Sequence, residues 1–139
     1  MIIFFYCFLL LPVVPLIAQE PGLDLMGEWE LVTSGDGFQD GRIIFLDGAE
    51  YQFFRTWPDG TGAEISGGYE LDTDSSPAHL RLCLDDCSAA GSEWTSSFCV
   101  IRLNSPEEME IYISQSGAYP GGFPEDPGEQ GAYLFRKVI

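Results

Sequence analysis

Residues 41–72 read GRIIFLDGAEYQFFRTWPDGTGAEISGGYELD, and this stretch decides the fold class. It contains three short apolar and aromatic runs, Arg42–Leu46, Glu50–Thr56 and Ala63–Leu71, separated by residues rich in Gly, Asp and Pro. Runs of this length that end at turn-forming residues are typical of β-strands. The stretch therefore predicts three consecutive strands joined by short turns.

The same pattern continues on both sides of this stretch. Five further runs are predicted to be strands: Gly27–Thr33, His79–Leu84, Phe98–Leu103, Met109–Ser114 and Ala132–Val138. Helical periodicity is scarce, so no helices separate the strands as they would in a parallel sheet. We expect an all-β domain, folded as an eight-stranded up-and-down antiparallel barrel that leaves no exposed sheet edge.

The first eighteen residues, MIIFFYCFLLLPVVPLIA, carry no charge. The run is shorter than the ~20 apolar residues of a membrane-spanning helix, and it contains two prolines. We predict that residues 1–18 are a signal peptide cleaved after Ala18, although no Lys or Arg precedes the apolar run. The domain is then residues 19–139, exported to the periplasm or the cell exterior and not inserted in a membrane. An uncleaved anchor is the alternative.

The charge of the chain restricts its partners. It has 22 acidic and 6 basic residues, which gives a net charge of −16. Because such a charge repels phosphate backbones, we expect the chain not to bind nucleic acid. The charge is suited to keeping the protein dispersed, or to binding a basic protein partner.

Three segments of the chain carry a family resemblance. They are Gly27-Glu28-Trp29 in the first strand, the block GYELD (68–72) with Pro77, Leu80 and Leu82 after it, and EIYIS (110–114) with Gly117, Pro120 and Phe123 after it. In order and spacing they resemble the small bacterial exported lipocalin-like (calycin) domains. The resemblance implies a lipocalin-like barrel. It also implies that Trp29 closes one end and that a basic residue of the last strand, Arg136, lies across its ring.

Catalytic and metal-binding patterns are weak. The single histidine, His79, has no partner residue that the sequence identifies as a base or nucleophile, and no Gly-x-Ser-x-Gly motif occurs. The series Asp72-x-Asp74-x-Ser76 lacks the glycine and the distant glutamate of a calcium loop. We therefore expect no enzyme activity, no cofactor and no metal site.

Aromatic residues are the only pattern that points to a ligand. Phe45, Tyr51, Phe53, Trp57 and Tyr69 lie in or beside three successive predicted strands. Inward residues of an eight-stranded barrel either line a cavity for one small ligand or fill the interior. We predict a binding module that holds a small hydrophobic molecule in the barrel. The alternative is an acidic interaction or inhibitor module that docks on a basic exported protein.

Three cysteines follow the predicted signal peptide: Cys83, Cys87 and Cys99. Alternation in the fifth strand places Leu80, Leu82 and Leu84 inward and Cys83 outward, whereas Cys99 faces inward. Residues on opposite faces are poorly placed to pair. The sequence therefore predicts a Cys87–Cys99 disulfide and leaves Cys83 as a surface thiol.

Overall fold

The computed structural model describes residues 23–139, which form a closed barrel of eight antiparallel strands. The strands are β1 (Gly27–Ser34), β2 (Asp40–Leu46), β3 (Glu50–Thr56), β4 (Gly62–Asp72), β5 (Ala78–Leu82), β6 (Ser97–Ser105), β7 (Glu108–Ile113) and β8 (Ala132–Lys137). Each strand pairs with the next, and β8 returns to pair with β1. The predicted up-and-down barrel is confirmed. The predicted signal peptide lies outside the described residues.

Alternate side chains of each strand fill the barrel. In β2 the inward residues are Ile43 and Phe45, and in β8 they are Tyr133 and Phe135; all four are buried. This follows from the two-residue period of a strand, which sends every second side chain to the same face.

One end of the barrel is closed by the segment that leads into β1. Leu25 and Trp29 are buried there, and the indole N–H of Trp29 donates a hydrogen bond to the Leu25 carbonyl at 2.9 Å. The Lys137 ammonium lies 4.9 Å from the centroid of the Trp29 ring and donates to the Met26 carbonyl at 2.8 Å. We call this end, formed by Leu25, Met26, Trp29 and Lys137, the closed end.

The predicted barrel-closing pair of Trp29 and Arg136 is wrong in its second member. Arg136 faces solvent with 62% of its side chain exposed, and its nearest carboxylate is that of Glu30 at 4.0 Å. Lys137 is directly opposite Trp29 in the β1–β8 pairing and therefore shares its face. The alternation of Tyr133 and Phe135 in β8 continues to Lys137, not to Arg136.

The predicted Cys87–Cys99 disulfide is also wrong, because Cys83 bonds to Cys87 with a Cα–Cα distance of 5.4 Å. Strand β5 ends at Leu82, so the alternation does not continue to Leu84, which is 47% exposed. Cys83 is buried instead of lying on the surface. Cys99 faces the core as expected, but it is a buried free thiol.

Two hydrogen bonds explain the turn at Cys83. Its N–H donates to the Gly68 carbonyl at 2.9 Å, and its own carbonyl accepts the phenol of Tyr51 at 3.1 Å. The chain also passes so close to β4 that a Cβ atom at Gly67 would collide with the Cys83 carbonyl oxygen. Glycine at position 67 therefore permits the approach that brings Cys83 within reach of Cys87.

Parts of the two long connections pack against the outer face of the barrel. In the β5–β6 connection, a short 3-10 helix (Ser92–Thr95) is held by Arg81, which donates to the Ser92 and Ser96 hydroxyls at 2.5 Å and 2.9 Å. The β7–β8 connection places the Tyr119 ring on His79 with centroids 4.0 Å apart. His79 is thus on the outer surface, away from the barrel interior.

Candidate binding cavity

The end of the barrel opposite Trp29 contains a cavity of about 250 Å³. We call it the open end; the connections β1–β2, β3–β4, β5–β6 and β7–β8 all meet there. One group of lining residues is apolar or aromatic: Tyr51, Phe53, Ile65, Leu82, Leu84, Ile113 and Tyr133. The other group is polar or charged: Asp36, Arg55, Thr95, Ser97, Ser114 and Gln115.

Arg55 is the only basic side chain among the residues that line this cavity. Tyr51, Phe53 and Arg55 occupy alternate positions of β3, so they share its inward face. The guanidinium carbon of Arg55 lies 4.8 Å from the centroid of the Phe53 ring and 5.0 Å from that of Phe38. These cation–π contacts hold the positive charge at the edge of the apolar interior.

Asp36, in the β1–β2 connection, is hydrogen-bonded to the start of the neighbouring strand β8. Its carboxylate accepts the Tyr133 hydroxyl at 2.6 Å and the backbone N–H of Gly131 at 2.8 Å. Both oxygens are therefore engaged with the region around the start of β8. Within residues 23–139, Arg55 forms no salt bridge with Asp36 or any other carboxylate.

The two tyrosines of the cavity are held in their neutral form. Burial raises the pKa of Tyr51 to about 12, despite the opposing effect of the positive charge on Arg55. Burial, and then the hydrogen bond to Asp36, raise the pKa of Tyr133 well above its usual range, whereas hydrogen bonding to Arg55 and then its positive charge act in the opposite direction. At neutral pH both phenols are therefore hydrogen-bond donors.

An outer vestibule of about 390 Å³ adjoins the cavity at Arg55 and Asp36, which line both spaces. Phe38 and Trp57 also line the vestibule, and their ring centroids are 4.0 Å apart. Since Phe38 also lies against the Arg55 guanidinium, the aromatic pair and the arginine form one packed group. This group stands between the cavity and solvent.

The five predicted ligand-binding residues are not brought together in one site. Tyr51 and Phe53 line the cavity, and Trp57 lines the vestibule. Phe45 is buried in the core, where its ring meets that of Tyr69 at a centroid distance of 5.1 Å. Phe45 therefore fills the interior, whereas Tyr69 borders a separate groove outside it.

The sequence interpretation did not assign Arg55, Asp36, Phe38 or Tyr133 to the site. Arg55 had a usable signal, because it follows Tyr51 and Phe53 on the same face of an alternating strand. A charged residue on the inward face of a barrel strand needs a partner or a function. Asp36 and Phe38 lie in a connection whose path no alternation fixes, so their positions required the structure.

A second, more open groove of about 720 Å³ runs beside the Cys83–Cys87 disulfide and the β2–β3 turn. Glu50, Glu70, Asp85 and Asp86 contribute to its walls. In residues 23–139, no cluster of three or more His, Cys, Asp or Glu side chains is arranged to hold a metal ion. Over the same range there is no helix of the length and apolarity that crossing a bilayer requires.

The chain was compared with protein families and with curated proteins. No family model matches it, and no curated protein is significantly similar to it.

Proposed function

We propose that this domain is an exported binding protein that holds one small, mainly apolar molecule in the cavity at the open end. The observation that carries the proposal is the cavity itself, with three aromatic rings and four aliphatic side chains in its wall. Small-molecule sites are usually concave and combine apolar walls with placed polar groups, and this cavity has seven apolar or aromatic and six polar or charged lining residues. A binding role, not catalysis, agrees with the position of His79 outside the barrel.

The size of the cavity limits the ligand. A volume of about 250 Å³ corresponds to roughly eight water molecules at ~30 Å³ each. This is slightly below the ~300–1,000 Å³ of typical drug-sized sites. The proposed ligand is therefore a compact molecule such as a single substituted ring or a short chain, and a larger ligand would extend into the vestibule beside Trp57.

We further propose that the chain is a lipocalin-like (calycin) domain. Supporting this are the Gly27-x-Trp29 motif at the start of β1 and the basic residue of β8 across the Trp29 ring. The basic residue is Lys137 in place of the expected Arg136. The strand number and the sequential up-and-down order agree with such a barrel.

A pair of matched variants tests the binding site. Ile113 lines the cavity, whereas Ile44 lies on the outward face of β2. We expect Ile113→Phe to fill part of the cavity and to weaken binding of a neutral probe, indole, by about tenfold. Ile44→Phe makes the same chemical change outside the cavity and should leave the affinity unchanged.

Indole binding is measured by NMR titration of the folded chain, with the shifted resonances mapped onto the structure. Shifts clustered at Phe53, Ile65 and Ile113 support the proposal. Equal loss of affinity in both variants, or shifts confined to the outer groove beside Cys87, would contradict it. Native mass spectrometry of protein purified from its own source would show any ligand that is retained.

Trp94 favours a second candidate function, the docking of a basic exported protein. Its side chain is 84% exposed, and it sits on the 3-10 helix that Arg81 holds in place. An exposed indole can stack on Lys or Arg of a partner, and the net charge of −16 would attract such a partner.

A tryptophan-free, lysine-rich peptide distinguishes this candidate from the first. Docking predicts that the affinity falls steeply with added salt and that Trp94→Ala weakens it. Binding of indole in the cavity should respond to neither change. A peptide affinity that is unaffected by Trp94→Ala would remove the support that Trp94 gives to this function.

A further inference from the structure

We propose that the molecule bound in the cavity carries an anionic group, a carboxylate in the simplest case, and that Arg55 binds this group. The inference rests on the proposed binding function and adds the chemical class of the ligand. Its basis is the state of the Arg55 side chain within the described residues.

Arg55 differs from every other basic residue of the chain. The chain has six Lys and Arg residues, and all six lie within residues 23–139. Four arginines have a glutamate within 4.0 Å: Arg42 with Glu28, Arg81 with Glu70, Arg102 with Glu110, and Arg136 with Glu30. The ammonium of Lys137 is bonded to the Met26 carbonyl. In this range Arg55 is the basic residue without a carboxylate or carbonyl partner, and the polar group nearest in effect is the neutral hydroxyl of Tyr133.

Within the described residues, Arg55 also differs from the other basic residues in having a buried donor without a partner. Its Nε atom is buried and has no hydrogen-bond partner within residues 23–139. Buried donors are ordinarily satisfied, and a buried charged donor more so. Arg42, Arg102 and Arg136 differ from Arg55, because about half or more of each side chain is exposed and water can accept its hydrogen bonds.

Asp36 forms no direct ion pair with Arg55, although both residues line the cavity and the vestibule. The Asp36 carboxylate is occupied by the Tyr133 hydroxyl and the Gly131 N–H. Its distance from the guanidinium exceeds the 4.0 Å of an ion pair. The positive charge therefore remains available to a group that enters from the vestibule.

The contacts of Arg55 also favour a planar anion. Phe38 and Phe53 pack against the guanidinium and restrict its position. A guanidinium held in this way still has N–H groups along its edge, and two of them can bind both oxygens of a carboxylate. The apolar wall beyond it, which includes Phe53 and Ile65, would take the body of the same molecule.

The test compares probes that differ only in charge, phenylacetate and phenylacetamide, together with the pair hexanoate and hexanamide. We expect the wild-type chain to bind each carboxylate about tenfold more tightly than its amide, since hydrogen bonds to charged groups are the stronger ones. Arg55→Met should abolish this preference, so that each carboxylate binds no more tightly than its amide. Arg42→Met also removes a cation that lies against a ring, that of Phe54, but outside the cavity, and it should keep the preference.

A measurement on the unmodified chain tests the role of Arg55 even if Arg55→Met does not fold. The Nε–H NMR resonance of Arg55 should shift on addition of phenylacetate and not on addition of phenylacetamide. Equal affinity for acid and amide, with binding still weakened in Ile113→Phe, would overturn the anionic class while the binding function stands. If no acid or amide binds but indole does, the anionic class fails alone; if indole does not bind either, both proposals fail. A carboxylate preference that persists in Arg55→Met would place the anion elsewhere and overturn the role of Arg55.

Discussion

The two ends of the barrel differ in how their polar groups are satisfied. At the closed end, the Trp29 indole and the Lys137 ammonium both donate to backbone carbonyls of the segment that leads into β1. At the open end, the buried Nε of Arg55 has no partner within residues 23–139, and a cavity of about 250 Å³ lies beside it. The same strands run through both ends.

This difference separates stability from binding within one barrel. A packed end in which every donor finds an acceptor contributes to the free energy of folding. An unfilled space beside an unpaired cation contributes less, because the lining atoms lose contacts on one side. Sites of binding are commonly the places where the rules of packing and polar satisfaction are broken. Substitutions at the two ends test this separation.

The largest effect is expected at the closed end, from Trp29→Ala. Trp29 is fully buried, and truncating a buried tryptophan to alanine costs about 3–5 kcal/mol. Trp57→Ala is the matched control at the open end, where 40% of the side chain is exposed. We expect a loss of about 1 kcal/mol or less from the control, as is usual for exposed positions.

Denaturant unfolding followed by far-UV circular dichroism gives both values. If Trp29→Ala does not fold, Trp29→Phe provides a milder change at the same place. Equal losses from the substitutions at positions 29 and 57 would show that the two ends contribute similarly, contrary to the comparison.

An intermediate effect is expected from the Cys83–Cys87 disulfide, which fixes the start of the β5–β6 connection beside the β2–β3 turn. A bridge that closes so short a loop stabilises by about 2 kcal/mol, and Cys87→Ala should lose this amount. Cys99→Ala, in the core, is the control for removing a cysteine without breaking the bridge.

Peptide mapping without reduction checks the pairing directly. A peptide linked through Cys83 and Cys87 is expected, with Cys99 modified by maleimide only after unfolding because the thiol is buried. A linkage between Cys87 and Cys99 would contradict the structure and restore the pairing predicted from the sequence.

The strands could be predicted because their signals are local. Alternation and turn residues predicted every strand end to within two residues; β5, for example, runs from Ala78 to Leu82 against a predicted His79–Leu84. The disulfide could not be predicted in the same way. It depends on where β5 stops, and that is decided by hydrogen bonds from Cys83 to Gly68 and from Tyr51 to Cys83. These contacts join residues far apart in the chain.

Only part of the candidate site could be predicted from the sequence. Tyr51 and Phe53 were assigned to the interior by alternation, and both line the cavity. Whether the aromatic side chains fill the barrel or leave space depends on packing in three dimensions: Phe45 fills the core, whereas Phe53 borders a cavity. The partners of Tyr133 and Arg55 come from the β1–β2 connection, which has no periodic pattern to place it.

The smallest effect concerns two neighbouring basic residues, Lys137 and Arg136, at the closed end. Lys137 covers the Trp29 ring and donates to the Met26 carbonyl, so Lys137→Ala should lower the free energy of unfolding by about 1 kcal/mol. Arg136→Ala removes an exposed side chain 4.0 Å from Glu30, and exposed ion pairs contribute roughly 0–1 kcal/mol. We expect its loss to fall at the lower limit of that range.

Urea unfolding of both variants in the same buffer decides the matter, and repetition in high salt separates the two causes. The loss from Lys137→Ala should persist in salt, because part of it is the packing of the lysine stem on the indole. A larger loss from Arg136→Ala than from Lys137→Ala would mean that the arginine, and not the lysine, closes the barrel over Trp29.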